Sequence, residues 1–264
     1  MPLHGIDVSN NNGTVSWRSW KKDFGIAKAT EGGNFRDGYF GTNWHGIAAW
    51  GMLRGAYHFM RPGDPAAQAS YFVEYVRAYG LEADDILCLD VEDPALTNSD
   101  VRTCVAEIEH LTGKRVFLYG NYAFLSQGYF RGLQDSNPIW IANPGGTVGN
   151  PPSVLPFPVW TLQQYSWNPL DQNIFNGDKN TWKKLANIKE KPAVKVYVSD
   201  GTKNLGQLAA EFSTGASSLL KLMIENNAHK EFTAKEAAWV NSIFTGKTPA
   251  TNPVPQGVKV FHKA

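Results

Sequence analysis

Ile86, Leu87, Cys88 and Leu89 run without interruption into Asp90, Val91, Glu92 and Asp93. Four consecutive apolar residues read as a strand buried on both faces, the kind found in parallel sheets covered by helices. In such sheets the C-terminal ends of the strands open to solvent and hold ligands. Residues two apart on a strand point the same way, so Asp90 and Glu92 share a face, with Cβ atoms roughly 6–7 Å apart. Two acids are thereby aimed into one space, and the rest of the chain has to supply strands on either side of them.

The residues before this stretch do so three times. Leu3 to Ser9 reads as a strand carrying Asp7 near its exit, and Val15 to Asp23 as a short helix with Trp17 and Trp20. Gly25 to Glu31 is a second strand, and Gly38 to Trp50 a helix stopped by Gly51. Leu53 to Arg61 is a third, with Tyr57, His58 and Phe59. The next helix has both ends written in: Asp64 as N-cap, Pro65 at the first helical position, and Gly80 past the last turn. Its apolar Ala69, Phe72, Val73, Val76 and Tyr79 fall on one face.

Downstream, Asn98 or Ser99 caps a helix whose apolar face is Val101, Cys104, Val105, Ile108 and Leu111, ended by Gly113. Arg115 to Gly120 is a fifth strand, and Tyr122 to Phe130 a shorter helix. Pro138 to Asn143, Pro158 to Ser166 and Leu170 to Phe175 are three further strands joined by loops. Eight strands and about five helices predict an α/β fold, a modified TIM-like parallel barrel whose last strands have lost their helices.

On that barrel Asp7, Glu31, Asp90, Glu92 and Asp171 all fall at C-terminal strand ends, the face where barrel enzymes place their chemistry. Carboxylates crowded at one mouth cannot all ionise cheaply, so at least one is expected to keep its proton near neutral pH. A proton-donating acid beside ionised acids suits glycoside hydrolysis, in which the leaving oxygen is protonated and positive charge builds on the ring. Tyr57, Phe59, Tyr119, Trp140 and Tyr165 at the same ends offer flat faces for sugar rings. A single acid at a strand end is more often a cap or loop residue, and Asp93 before Pro94 reads that way. His58 reads as a core or supporting histidine.

The bulk properties narrow the partners. A formal net charge of +1 exerts no pull toward nucleic acid or an anionic membrane. No apolar run approaches the ~20 residues that span a bilayer. Cys88 and Cys104 read as small core hydrophobes; without CxxC or His-rich spacing, no metal or other cofactor is expected. Met1 to Gly5 has neither the basic nor the apolar region of a signal peptide, so synthesis in a host cytoplasm is expected.

At these residues the sequence resembles glycoside hydrolase family 25, the barrel-type muramidases. Gly5-Ile6-Asp7-Val8-Ser9 with Gly13 and Trp17 is similar to the family's opening motif, and Lys28-Ala29-Thr30-Glu31-Gly32 and Gly55-Ala56-Tyr57-His58-Phe59 to its second and third strands. Leu89-Asp90-Val91-Glu92 resembles its DxE strand, Tyr119-Gly120 the fifth, Trp140-Ile141 the sixth and Gln164-Tyr165 the seventh. Leu170 to Gly177 resembles its closing motif; Thr161-Leu162-Gln163 departs from it, lacking the tryptophan expected beside Gln164. The resemblance implies cleavage, with retention, of the β-1,4 bond between N-acetylmuramic acid and N-acetylglucosamine in peptidoglycan. Glu92 would be general acid and base and Asp90 its neighbour, with Asp7 and Asp171 flanking them; Glu31, Tyr57, Phe59, Tyr119, Trp140, Gln164 and Tyr165 would hold substrate. A DxE pair is also similar to enzymes in which the substrate's 2-acetamido group attacks, which favours a stabilising Asp90 over a nucleophilic one. The competing class is a non-catalytic peptidoglycan- or chitin-type glycan-binding protein on the same scaffold.

These features divide the chain into a catalytic barrel over 1–187, a linker over 188–193 and a small α+β domain over 194–264. In the last, Val194 to Val198 and Val258 to Phe261 read as strands, with helices near 205–212, 217–225 and 233–246 between them. Asp200-Gly201-Thr202, Leu205 and Leu208, with Pro255, Gly257 and Val258, weakly resemble a LysM repeat, a module that binds N-acetylglucosamine chains. A lytic barrel with a wall-binding tail and no signal peptide would suit a bacteriophage endolysin acting on the bacterial cell wall, with a secreted bacterial or prophage lysozyme as the alternative.

Overall fold

Alternation of inward and outward side chains along eight strands builds a closed barrel, and that alternation decides which residues reach its mouth. The computed structural model describes residues 1–187, 194–198, 202, 207 and 259–263. The chain divides into two compact units, Met1–Lys189 and Glu190–Ala264.

In the first unit the strands are β1 (Leu3–Val8), β2 (Phe24–Glu31), β3 (Phe35–Arg36), β4 (Leu53–Phe59), β5 (Ile86–Asp90), β6 (Val116–Asn121), β7 (Ile139–Ala142), β8 (Leu162–Ser166) and β9 (Asp171–Phe175). Around the barrel they follow the order β1, β2, β4, β5, β6, β7, β8, β9, and the β9–β1 pairing closes the ring. The short β3 pairs back onto the exit of β2 as a flap. Neighbours from β1 round to β8 are parallel.

The last strand departs from the expected parallel barrel. β9 runs antiparallel to both β8 and β1. Only Trp167 to Leu170 separate it from β8. A parallel return needs a crossover of a dozen or more residues, whereas a link this short permits only a hairpin. Asp171 therefore stands at the start of its strand, not at the C-terminal end, and the reversal still brings it to the same mouth.

Around the barrel lie α1 (Trp17–Trp20), α2 (Phe40–Ala49), α3 (Pro65–Ala78), α4 (Asn98–Thr112) and α5 (Tyr122–Ser126), followed by α6 (Lys179–Ala186). Asp64 caps α3 by accepting from the Ala66 and Ala67 N–H groups. α4 is capped one residue earlier than expected: Thr97 and Asp100 form a reciprocal capping box, and Gly113 closes the helix at φ 66°.

Helix α6, within the range expected for the barrel but with no helix expected there, is integral to it. Asp178 caps it, and its Trp182 is completely buried. The indole packs on Phe24 (ring centroids 5.0 Å apart) and Phe175 (5.2 Å), and its N–H donates to the Asp84 carbonyl. With Leu3, Phe117 and Leu162 these rings fill the lower barrel, while Ile6, Leu87, Leu89, Leu118 and Ile141 face outward into the helical layer. Cys88 lies in the interior and Cys104 in the outer layer, both buried and unbridged.

In the second unit β10 (Val194–Val198) pairs antiparallel with β11 (Lys259–Lys263), Tyr197 opposite Val260. The helices expected between them lie outside the described residues.

Candidate active site

Inward alternation carries polar residues up the barrel wall once the aromatic floor ends. On β5, Ile86 and Cys88 point inward, and so does Asp90, the final residue of the strand. Its register partners are Phe59 on β4 and Tyr119 on β6, and Tyr119 pairs with Trp140. Across the barrel Asp7 on β1 pairs with Asp171 on β9. Asp7, Tyr57, Phe59, Asp90, Glu92, Tyr119, Trp140, Gln164 and Asp171 line one cavity of about 210 Å³, together with Ser9, Asn11 and Lys28.

A hydrogen-bond chain fixes one side of this cavity. The Trp140 indole N–H donates to Asn173 Oδ1 (2.8 Å), and Asn173 Nδ2 donates to Asp7 Oδ2 (2.6 Å). From the other side the Tyr119 hydroxyl donates to Gln164 Oε1 (2.8 Å), and Gln164 Nε2 donates to the same Asp7 oxygen (3.0 Å). Asp90 differs: it is 7% exposed, and its Oδ1 is buried without a hydrogen-bond partner among the described residues. A buried acceptor left unpaired costs free energy that a bound donor recovers.

All four carboxyls hold their protons more tightly than ordinary ones. Burial, then the neighbouring Asp171 and Glu92, pushes Asp7 up to about 8 against the lowering effect of its two amide donors. Asp90 is raised well above the usual range by burial and then by Glu92 and Asp7, with Lys28 acting the other way. Glu92 is raised by burial and by Asp171, and Asp171 by burial. The crowding inferred from sequence is thus a property of the folded mouth.

Two residues expected to hold substrate lie elsewhere. β2 shifts register between Lys28 and Thr30, and past that point Glu31 faces an adjoining trough, paired with Lys28 (2.6 Å) and Arg61 (2.8 Å). These cations hold its carboxyl below the usual value despite burial. β8 shifts between Gln164 and Ser166, and Tyr165 shares a hydrogen bond with Gln172 (3.3 Å) outside the acid cavity. Tyr165 directly follows the cavity-lining Gln164, so alternation alone turns it away.

His58 is a supporting residue. Its Nε2 donates to Gln68 Oε1 (3.3 Å), which leaves Nδ1 to accept from the Thr30 hydroxyl (2.8 Å), and burial lowers its pKa to about 4. The sequence reading passes over Lys28, the only cation among the described residues lining the cavity, and Asn173. Period two held the signal for both, Lys28 following Phe24 and Ile26 and Asn173 following Asp171.

A barrel mouth that gathers four carboxyls with raised proton affinity between aromatic walls suits glycoside cleavage. Residues 6–174 match the family described as Glycosyl hydrolases family 25, and the chain belongs to that family and is a glycoside hydrolase. It is 32% identical to Lysozyme M1 of Streptomyces globisporus, over 70% of this chain and 71% of that protein. It is 29% identical to the N,O-diacetylmuramidase of a Chalaropsis species, over 70% of this chain and 99% of the relative. Among solved structures, the bacterial lysozyme from Streptomyces coelicolor superposes with a TM-score of 0.62 at 30% identity, covering 70% of this chain and 97% of that one.

Proposed function

We propose that the chain is an N-acetylmuramidase that cleaves the β-1,4 bond between N-acetylmuramic acid and N-acetylglucosamine in peptidoglycan with retention. The observation that carries the reading is the unpartnered Oδ1 of Asp90, buried in the acid cavity two residues before Glu92. A sugar bound with its 2-acetamido N–H on that oxygen satisfies it and turns the acetamido carbonyl toward the anomeric carbon. Glu92, whose carboxyl burial and then Asp171 raise above the usual range, gives its proton to the leaving glycosidic oxygen as the acetamido oxygen bonds to that carbon. Water then opens the resulting oxazolinium ring from the opposite face, Glu92 takes the water's proton, and two inversions give retention. Asp7 and Asp171 flank the ring, and the positive charge that builds there favours their ionised forms against the burial that raises them. Tyr57, Phe59, Tyr119, Trp140 and Gln164 form the walls, while Glu31 and Tyr165 act from the rim.

The second unit serves as a LysM-like wall-binding module in this reading, supported by the antiparallel pairing of β10 with β11 near its two ends. Removing residues beyond about 190 weakens adsorption to walls and spares cleavage of soluble fragments. A lytic barrel joined to such a unit supports a role as a phage endolysin made in a host cytoplasm. Expressed in bacteria, the chain then lyses cells from within once their membranes are permeabilised.

The reaction is tested by digesting purified peptidoglycan, reducing the products and reading the new ends by mass spectrometry. Reduced muramic acid is expected. Reduced glucosamine or released peptides would sink the assignment.

A further inference from the structure

Beside the acid cavity lies a second, larger hollow. This trough of about 500 Å³ is lined by Asn11, Lys28, Glu31, Asn34, Phe35 and Arg61, among others, and shares Asn11 and Lys28 with the cavity. Its wall is fixed from behind. Gln68 grips the Arg61 backbone at both ends, accepting from its N–H (3.0 Å) and donating to its carbonyl (2.7 Å), and His58 and Thr30 hold Gln68 in turn. Arg61 bridges Glu31 on β2 to Asp93 beyond β5. Lys28 sits 5.1 Å from the Phe59 ring centroid and 5.4 Å from that of Phe35, at the passage between the two hollows.

The sign of the lining charge changes at that passage. The acid cavity sets four carboxyls against Lys28 alone, whereas among the residues lining the trough Lys28 and Arg61 face only Glu31, with Asp93 paired to Arg61 from outside the lining. A neutral saccharide needs no such change; a substituent bearing carboxylates does. Muramic acid carries one, a short acidic peptide joined through the lactyl group on O3. O3 is on the carbon next to the one bearing the acetamido group, so a sugar held by Asp90 carries that substituent one ring carbon from the contact, and the passage at Phe59 and Lys28 opens beside the cavity.

We propose that the trough receives the acidic peptide stem of the muramic acid whose glycosidic bond is cleaved, an inference that rests on the muramidase reading above. Lys28 and Arg61 face its carboxylates, the carboxamides of Asn11 and Asn34 meet its peptide groups, and the Phe35 ring covers its small apolar side chains. The trough thereby makes the enzyme selective for peptide-bearing glycan.

The test compares two soluble substrates, uncrosslinked glycan strands with intact stems and the same strands stripped by an amidase. Wild-type enzyme is expected to show a lower KM on stem-bearing strands. In Asn34→Ala and Phe35→Ala, KM on those strands rises by roughly 3- to 10-fold each, the loss of one contact, with kcat unchanged. Kinetics on stripped strands stay at the wild-type level, which also shows that the variants are folded. Equal losses on both substrates would overturn the proposal in favour of a saccharide site. No wild-type preference for stems would overturn it outright, with muramidase activity on both strands intact. Failure to cleave either substrate would instead remove the muramidase reading beneath it.

Discussion

Asp7 and Asp171 are register partners across the antiparallel seam where β9 closes the barrel onto β1. The pairing places two acids side by side in the wall of one cavity, and burial and then the Asp171 charge raise the pKa of Asp7 to about 8. The same Asp171 charge also reaches Glu92.

With Glu92 as the proposed acid, Asp171 is expected to set the upper pH limit of catalysis through it. Glu92 must be protonated to act as the acid, so activity falls as pH rises past its raised pKa. Removing the neighbouring charge in Asp171→Asn lets Glu92 ionise earlier. The alkaline limb of kcat against pH, measured on soluble glycan strands, is expected to move to lower pH in the variant. A limb that stays in place or moves up would contradict the coupling.

Stability should carry the mark of Asp7. Its carboxyl ionises at 3.8 ordinarily and at about 8 in the folded protein, so the native state binds the proton more tightly. The resulting stabilisation is complete below about pH 4 and is lost as pH rises through about 8. Asp90, also raised by burial, acts in the same direction. Asp7→Asn keeps an acceptor for Gln164 and Asn173 and cannot ionise. Its melting temperature should decline less than that of the wild type between pH 5 and 9, read by calorimetry across that range.

The barrel floor depends on one side chain. Trp182→Ala removes an indole packed against Phe24, Phe117 and Phe175 and is expected to cost about 3–5 kcal/mol in denaturant unfolding. A loss below about 1 kcal/mol would show that the floor refills.

The role given to Asp90 requires the acetamido group. Walls whose muramic acid has lost its N-acetyl group should be cleaved slower by roughly 10²-fold or more, the loss of an intramolecular nucleophile. If Asp90 attacked directly, only a binding contact would go, a loss of about 5-fold. Rates on de-N-acetylated and re-acetylated walls separate the two.

The β5 acids and the inward aromatics could be read from sequence because period two and a fully apolar strand leave few ways to place them. Orientation along the last strand could not be read from composition, but the four residues from Trp167 to Leu170 held the information: too short a link for a crossover. Helix α6 was masked by its lysines, Lys179, Lys183 and Lys184, which leave only a narrow apolar face in Trp182 and Ala186. Tyr165 directly follows the inward Gln164, so alternation itself turns it away from the cavity, whereas the register shift between Lys28 and Thr30 changes the phase of Glu31, which residue type does not reveal. The Trp140 to Asn173 to Asp7 chain joins residues far apart in sequence and needed the closed ring.

The central claim is that Glu92 is the proton donor in muramidase cleavage, and the most direct measurement counts reduced muramic acid ends released from peptidoglycan by wild type and by Glu92→Gln at equal wall-bound enzyme. The wild type should generate them steadily and the variant some 10²- to 10⁴-fold more slowly, while binding walls as tightly. Appreciable turnover by Glu92→Gln, or its failure to bind walls that the wild type binds, would contradict this account.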